Sequence, residues 1–305
     1  MGRDPLSTPG RGGTPRPWPS RPGELRLGVA GALELRWAAV DVTGAAEEAR
    51  RRHDLSPVAA SALGRALAGA ALLRALATRA CRRLTLSVVG DGALGRVVAE
   101  ATADGDLRGY VGAPRVELPL RPDGRLPIAE AIGSGTLIVT REFADGATGE
   151  SRVQLVTGEL GHDLAHFLAQ SEQTPSAVSL GVLEGPGGVR AAGGFVVEVI
   201  PAASESAIAR VESNLAALGS VSRRLAEEGL DGWLERVFAG LESEVRERST
   251  VRFRCSCSRA QLLPRLAGLS AGEKRALAES DGAIGAQCAF CSTVYVFAPE
   301  ELVVP

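Results

Sequence analysis

Four cysteines near the carboxyl end of the chain have the residue type and spacing of a metal site. Cys255 and Cys257 form a C-x-C pair, and Cys288 and Cys291 form a C-x-x-C pair after the thirty residues 258–287. Zn²⁺ prefers thiolate ligands, and two close pairs on turns can converge on one tetrahedral ion. Closely spaced thiols can also form disulfides if the metal leaves. The cysteines alone therefore leave two interpretations open, a static structural zinc site and a thiol switch built on a zinc site.

The surroundings of the first pair bear on both interpretations. Four thiolates around Zn²⁺ carry a formal charge of −2, and nearby cations lower the cost of that charge. The cations near the first pair in sequence are Arg252, Arg254, Arg259 and Arg265. The C-x-C arm is tighter than the C-x-x-C spacing of zinc knuckles, which favours a role for the thiols beyond holding metal. The remaining cysteine, Cys81, has no sequence partner and is predicted to be a small buried apolar residue.

The same arginines favour a third interpretation, a zinc-ribbon protein that binds nucleic acid. Arg246 and Arg248 extend the basic stretch toward the first cysteine pair, with Glu247 the only acidic residue between them. A single-strand binder also needs exposed aromatic side chains on which bases stack. Phe253 and Tyr295 instead occupy strand positions typical of a core. Nucleic-acid binding therefore stays an alternative rather than the main prediction.

Composition limits the class of protein. The 305 residues are 45% apolar, enough for one large domain and a small one, and the net charge of −2 gives no general signal for nucleic acid or for an anionic membrane. Residues 1–23 are rich in Pro, Gly and Arg and are expected to be disordered, with no signal peptide. The apolar run Pro57–Ala80 contains three arginines, which predicts a buried helix rather than a membrane span. We expect a cytoplasmic protein, in which clustered cysteines favour metal or redox chemistry.

Hydrophobic periodicity predicts an α+β fold. Alternating apolar residues indicate strands within 24–42, and turn signals indicate hairpins within 84–111, 136–156 and 177–200. A helix is predicted from Pro57, since Ser56 can cap it, and a second one is predicted around residues 160–168. No βαβ alternation appears, so the strands should pair mainly antiparallel, with helices packed on the sheet.

The predicted organisation has four parts. The tail, 1–23, precedes an amino-terminal core domain, 24–203. Residues 204–250 are predicted to form a helical linker, amphipathic and broken by glycines, whose stability depends on packing against another surface. Residues 251–305 are predicted to form a small zinc-binding domain, with a capping box at Ser270 and Glu273 starting a helix that runs to about Glu279.

The cysteine segments, taken together, resemble the redox-switch domain of the heat-shock protein 33 chaperonin family. The resemblance is carried by Phe253-Arg254-Cys255-Ser256-Cys257-Ser258-Arg259 and Cys288-Ala289-Phe290-Cys291 at their separation. Upstream, similar motifs are Gly90-Asp91-Gly92, Gly133-Ser134-Gly135, Ser171-Glu172-Gln173-Thr174-Pro175, Ala191-Ala192-Gly193-Gly194 and Val199-Ile200-Pro201. Roughly residues 24–300 are covered.

The resemblance implies a redox-regulated, ATP-independent chaperone that takes part in the stress response. In the reduced form the four cysteines would hold one zinc ion per chain. Oxidation would pair Cys255 with Cys257 and Cys288 with Cys291, release the zinc, unfold the terminal domain and loosen the linker. The exposed apolar surface would bind unfolding client proteins, and the oxidised form would be a homodimer. From charge and composition we expect no nucleic-acid partner and no membrane partner.

Other chemistry-bearing residues receive simpler interpretations. His162 and His166 have the i,i+4 spacing of a helical metal site but lie away from the apolar face, so a solvated surface is expected. His53-Asp54 fits turn and cap chemistry. Gly90-Asp91-Gly92 lacks the strand–turn–helix context of a phosphate loop. No catalytic triad or carboxylate pair stands out, and we do not expect an enzyme.

Overall fold

The computed structural model describes residues 21–201, 203–278 and 282–302. Contacts divide the chain between Arg254 and Cys255 into two compact units. The larger unit comprises the described residues up to Arg254, and the cysteine unit comprises those from Cys255 onward. Most of the predicted disordered tail, 1–20, and the predicted helix end at Glu279 lie outside the described residues.

Twelve strands and eight helices are found among the described residues. The strands are β1 Gly23–Ala30, β2 Leu35–Asp41, β3 Cys81–Gly90, β4 Arg96–Thr102, β5 Asp106–Val111, β6 Gly135–Phe143, β7 Thr148–Gln154, β8 Ser176–Gly185, β9 Gly188–Val199, β10 Ser243–Phe253, β11 Ile284–Gln287 and β12 Val294–Phe297. The helices are α1 Thr43–His53, α2 Pro57–Leu76, α3 Ile128–Ile132, α4 Leu160–Ser171, α5 Glu205–Leu218, α6 Val221–Val237, α7 Arg259–Ala267 and α8 Ala271–Leu277. A short 3₁₀ helix, Pro299–Leu302, follows β12.

Ten strands of the larger unit form one sheet in the order β7-β6-β3-β4-β5-β10-β1-β2-β9-β8. The pairings are antiparallel except for a short parallel contact in which Arg252 and Phe253 of β10 lie opposite Asp106 and Leu107 of β5. The α+β fold with mainly antiparallel pairing is therefore confirmed. The hairpins predicted within 84–111, 136–156 and 177–200 are present. Strand β10 pairs with β5 along one edge and with β1 along the other. It therefore joins the strands β7-β6-β3-β4-β5 to the strands β1-β2-β9-β8 in one sheet.

Helix α2 forms the centre of the core. The Ser56 hydroxyl accepts a hydrogen bond from Ala59 N, and Pro57 occupies the first turn, as the sequence predicts. Leu63 and Leu67 on one face and Leu72 on the opposite face are completely buried. Among the described residues this is the one helix long and apolar enough to cross a membrane, and 83% of the relevant window is buried inside the protein. The apolar composition of α2 is therefore explained by its position in the core of the larger unit.

One element is missed by the sequence prediction, and one prediction is wrong. Helix α1 is missed because its N-cap residue, Val42, has no capping side chain and most residues of the helix are polar or charged; Asp41 accepts a hydrogen bond from Thr43 N at 2.8 Å instead. The helical prediction for the linker holds over α5 and α6 but fails from Ser243, where β10 begins. Strand β10 carries charged residues of both signs, a pattern that is also typical of a solvent-exposed helix. At its end Val251 and Phe253 are buried on the same face of the sheet, as the two-residue period of a strand requires. The boundaries 24–203, 204–250 and 251–305 stay predictions.

Candidate metal centre and the packed helical segment

The cysteine unit places each cysteine pair at a junction between elements. Cys257 immediately precedes Ser258, whose hydroxyl accepts a hydrogen bond from Gln261 N and caps α7. Cys288 and Cys291 lie in the loop that joins the antiparallel strands β11 and β12. Hydrogen bonds from Cys288 N to Thr293 O at 2.9 Å and from Ser292 N to Cys288 O at 2.8 Å close this loop. The local backbone therefore holds the second pair as one tight turn.

The four cysteine sulfurs converge. Their Sγ atoms all lie within 4.8 Å of one another, with Cys255 and Cys288 at 3.8 Å and Cys257 and Cys291 at 3.4 Å. In the described structure these four cysteines are thiols and form no disulfide. Because Zn–S bonds are about 2.3 Å long, a regular tetrahedron of thiolates has S···S edges of about 3.8 Å. The four side chains can therefore hold a metal ion, and their separations fit a tetrahedral thiolate site.

Burial and mutual hydrogen bonds control the protonation of this cluster. Removal from water raises the pKa of the Cys257 thiol to about 11. Hydrogen bonds from Cys255 and Cys288 lower the pKa of Cys291, and contacts with Cys255 and Cys291 raise the pKa of Cys288. The metal-free cluster thus favours one thiolate stabilised by its neighbours' S–H groups. A metal ion that binds all four sulfurs as thiolates must displace the remaining protons.

Three of the four arginines near the first pair in sequence have carboxylate partners. Arg259 donates to both carboxylate oxygens of Glu301 at 2.6 Å, and its guanidinium lies 4.3 Å from the centre of the Phe297 ring. In the larger unit, Arg252 and Arg254 both pair with Asp106. Within the cysteine unit, Arg259 is therefore engaged by a carboxylate and an aromatic ring.

Two hydroxyl groups beside the cysteines were not predicted as functional. The Tyr295 hydroxyl lies 3.3 Å from the Cys257 Sγ and donates to the Cys257 carbonyl oxygen at 3.1 Å. The Thr293 Oγ1 lies 3.2 Å from the Cys291 Sγ, and its hydroxyl can donate to that sulfur when Cys291 is a thiolate. The sequence signal for Tyr295 is the alternation along β12, where Tyr295 and Phe297 are buried and Val294 and Val296 are exposed. That pattern predicts an inward side chain but not its partner.

The apolar core of the cysteine unit is small. It is formed by four buried residues, Ile284, Tyr295, Phe297 and Leu302, with partly buried neighbours that include Cys257 itself. No residue of α7 or α8 is fully buried. A unit of about fifty residues with so few buried side chains depends on further stabilisation, for which metal coordination is the usual source.

In the larger unit, helices α5 and α6 cover an apolar face of the sheet. Trp233 of α6 lies edge-on to Phe195 with ring centroids 5.0 Å apart, and Phe238 lies 5.5 Å from Trp37. The indole nitrogens of Trp37 and Trp233 are buried without a hydrogen-bond partner in the described structure. Other buried members of the cluster are Leu35, Val197, Val211, Leu218, Val221, Leu225, Leu230, Leu234 and Val237.

Small residues and one ion pair bring α6 close to the sheet. A Cβ at Gly181 of β8 would lie 2.9 Å from the backbone nitrogen of Ser222, and one at Gly193 of β9 would lie 2.7 Å from the Leu225 side chain. The buried Arg26 of β1 pairs with Asp231 of α6 at 2.5 Å. Helix α6 is broken at Gly229, whose φ is 67°. The segment formed by α5 and α6 is therefore closely packed on the sheet, yet its second helix is interrupted by a glycine.

Together, the two units define a class of protein: an α+β domain with a helical segment on its sheet, followed by a small unit whose four cysteines could hold a metal ion. Comparison with known proteins gives the family. The family model described as Hsp33 protein matches residues 24–298. A 33 kDa chaperonin of Thermus thermophilus is 44% identical over 291 residues, covering 92% of this chain and 85% of the relative.

Two further comparisons agree. A 33 kDa chaperonin of Symbiobacterium thermophilum is 44% identical over 276 residues, covering 90% of this chain and 93% of the relative. The crystal structure of a heat shock protein 33 homologue from Thermotoga maritima superimposes with a TM-score of 0.82 at 37% identity, covering 92% of this chain and 96% of the other. The chain belongs to the Hsp33 family, and by that membership it is a chaperone. The resemblance inferred from the cysteine motifs is confirmed.

Proposed function

We propose that this protein is a redox-regulated, ATP-independent holdase of the cytoplasm. In the reduced state Cys255, Cys257, Cys288 and Cys291 hold one zinc ion, and oxidation of these thiolates converts the chain into a form that binds unfolding proteins. The observation that carries the proposal is the convergence of the four sulfurs at tetrahedral separations. Bound zinc would supply the folding free energy of the cysteine unit, about 10–16 kcal/mol in small zinc-binding peptides.

The oxidative step follows from thiolate chemistry. A thiolate attacks hydrogen peroxide to give a sulfenic acid and hydroxide, and a second thiolate displaces hydroxide from that sulfur to form a disulfide. Each disulfide consumes one peroxide and two protons and releases two waters, so four cysteines consume two peroxides. A sulfur in a disulfide has lost the charge that binds the metal. Oxidation therefore removes both the ligands and the main source of stability of the cysteine unit.

We propose that the disulfides join Cys255 with Cys257 and Cys288 with Cys291. Chain proximity supports this pairing, since such neighbours stay close after the unit unfolds. In the folded cluster the close contacts at 3.4 and 3.8 Å instead join Cys257 with Cys291 and Cys255 with Cys288. Peptide mapping of the oxidised protein tests the pairing, and crosslinks between the two pairs would contradict it.

Release of the helical segment would supply the client-binding surface. Glycine ends α5 at Gly219 and interrupts α6 at Gly229, and these breaks are points at which the helices could separate from the sheet. Their removal from the sheet would uncover Trp37, Phe195 and the apolar side chains around them. An apolar surface of this extent binds exposed hydrophobic segments of other proteins, and it also favours association of two oxidised chains. We therefore expect the oxidised form to be a homodimer.

The alternative of a nucleic-acid-binding zinc ribbon gains no support from the arginines that suggested it. Arg246 pairs with Glu244 at 2.9 Å and Arg248 with Glu24 at 2.8 Å, in addition to the pairs of Arg252, Arg254 and Arg259 described above. Paired guanidinium groups offer less positive potential to phosphates than the sequence suggests. We accordingly propose no nucleic-acid partner.

A light-scattering assay of a thermally unfolding client tests the proposed function. The oxidised protein should suppress aggregation at near-equimolar ratio, and the reduced, zinc-loaded protein should suppress it poorly. Metal release measured in parallel with a chromogenic chelator should reach one zinc per chain. Equal suppression by both forms would contradict redox regulation, and retention of zinc with four intact thiols after peroxide treatment would contradict the proposed trigger.

A further inference from the structure

The hydroxyl group of Tyr295 makes two contacts with a single cysteine. It lies 3.3 Å from the Cys257 Sγ and 3.1 Å from the Cys257 carbonyl oxygen. A tyrosine hydroxyl carries one proton to donate. When Cys257 is a thiol, its S–H can donate to the tyrosine oxygen while the tyrosine donates to the carbonyl. Both contacts are then satisfied.

A metal-bound Cys257 changes this arrangement. Its sulfur is a thiolate, which has no proton and can only accept a hydrogen bond. The sulfur and the carbonyl oxygen then compete for one tyrosine proton. Hydrogen bonds to charged acceptors are roughly twice as strong as those between neutral groups, which favours donation to the sulfur.

The fold holds Tyr295 in place for this contact. Its side chain is buried on the inner side of β12 beside Phe297, and its backbone pairs with Ala286 of β11. The ring therefore cannot turn away from Cys257 without disturbing the core of the cysteine unit. Groups that hydrogen-bond to metal ligands orient those ligands and tune their reactivity.

We propose that Tyr295 is a positioning residue that hydrogen-bonds the metal-bound Cys257 thiolate and slows its oxidation. This inference rests on the proposed function. The step affected is attack of the Cys257 sulfur lone pair on peroxide, which forms an S–O bond, breaks the O–O bond and leaves Cys257 sulfenic acid and hydroxide. A hydrogen bond stabilises the lone pair that attacks. Because thiolate nucleophilicity falls as basicity falls, the contact should slow attack at Cys257 about three- to tenfold.

The test compares Tyr295→Phe with wild type in the reduced, zinc-loaded full-length protein. Substoichiometric peroxide is added with dimedone, which traps sulfenic acid, and fragment-ion mass spectrometry assigns the label to each of the four cysteines. The ratio of label at Cys257 to label at the other three cysteines should rise about three- to tenfold in Tyr295→Phe. Tyr110→Phe is the matched control, since Tyr110 is the other of the two tyrosines and lies on β5 of the larger unit.

A second variant keeps the test specific. Thr293→Val removes the hydroxyl beside Cys291 with little change in side-chain volume, and should raise the label at Cys291 rather than at Cys257. A uniform rise at all four cysteines in Tyr295→Phe would overturn the inference, because it would indicate general loosening of the unit. An unchanged distribution, with normal oxidation, would also overturn it. If the wild-type cysteines resist peroxide altogether, the proposed function fails, and the role of Tyr295 fails with it.

Discussion

Gly181 offers the sharpest test of whether the helical segment controls client binding. A Cβ added there would lie 2.9 Å from Ser222 N and 3.0 Å from Ser222 Cβ, which belong to the first turn of α6. A backbone nitrogen cannot rotate aside as a side chain does. The helix must therefore move outward by about 0.5–1 Å to restore ordinary contact, and such overpacking costs about 1–3 kcal/mol.

The cost falls on the contact between α6 and the sheet. A change of 1–3 kcal/mol alters an equilibrium about 5- to 150-fold, so Gly181→Ala should raise the population of the released segment by that factor. Trypsin cleavage at Arg223 and Arg224 reports this population when opening is fast relative to cleavage. The reduced, zinc-loaded variant should be cleaved correspondingly faster and should suppress client aggregation without oxidant.

Gly187→Ala is the matched control. Gly187 lies in the turn between β8 and β9, and a Cβ there meets nothing within 4 Å. The two variants share the effect of glycine replacement on the unfolded chain but differ in the contact with Ser222. If Gly181→Ala and Gly187→Ala are cleaved at the same rate, contact between α6 and β8 does not control release. Faster cleavage without chaperone activity would separate release of the segment from client binding.

Three further outcomes follow from the metal centre and the packed segment. Zinc affinity should rise with pH, because protons compete with zinc for sulfurs such as that of Cys257, whose pKa is about 11 without metal. Competition with a chelator at pH 6 and pH 8 measures the zinc affinity, and equal affinities at the two pH values would contradict thiolate coordination. Cys288→Ser should lose most of its zinc under the same competition, whereas His162→Gln should keep one zinc per chain. Oxidation should shift tryptophan emission to longer wavelength, because buried indole rings become exposed to water, and Trp233→Phe should lose much of that shift. An unchanged emission spectrum would indicate that α5 and α6 remain packed on the sheet after oxidation.

The sequence predicts those parts of the fold that depend on local signals. Strong turn residues and alternation locate the hairpins, and Ser56 with Pro57 locates the start of α2. Strand β10 is misassigned because its long-range pairing with β1 and β5 outweighs local propensity. Helix α1 has valine at its N-cap position and is capped from Asp41 one residue earlier, so the sequence contains no clear start signal for it.

The candidate site divides in the same way. Convergence of the four cysteines can be predicted from residue type and spacing, because two closely spaced cysteine pairs in one chain are typical of a zinc site. The partners of those cysteines do not follow. Contact between Tyr295 and Cys257 depends on the register of β12 against β11, and contact between Gly181 and Ser222 joins residues 41 positions apart (222 − 181). Such contacts exist only in the folded molecule.

Strand β10 provides a covalent route from the cysteines to the helical segment. It begins at Ser243, shortly after α6 ends, and it ends at Phe253, two residues before Cys255. Its parallel pairing with β5 consists of two residue pairs at this end, whereas its pairing with β1 is long and continues across a bulge. Unfolding of the cysteine unit would leave the end of β10 attached to a mobile chain, so the short pairing with β5 should open first. Opening would then proceed along β10 toward α6, because each lost pair exposes the next.

Hydrogen exchange on the oxidised protein should accordingly show early loss of protection at Arg252 and Arg254, whose backbone amides donate to the carbonyl oxygens of Gly105 and Leu107. Early loss in α6 with these two amides still protected would require a route that bypasses the strand.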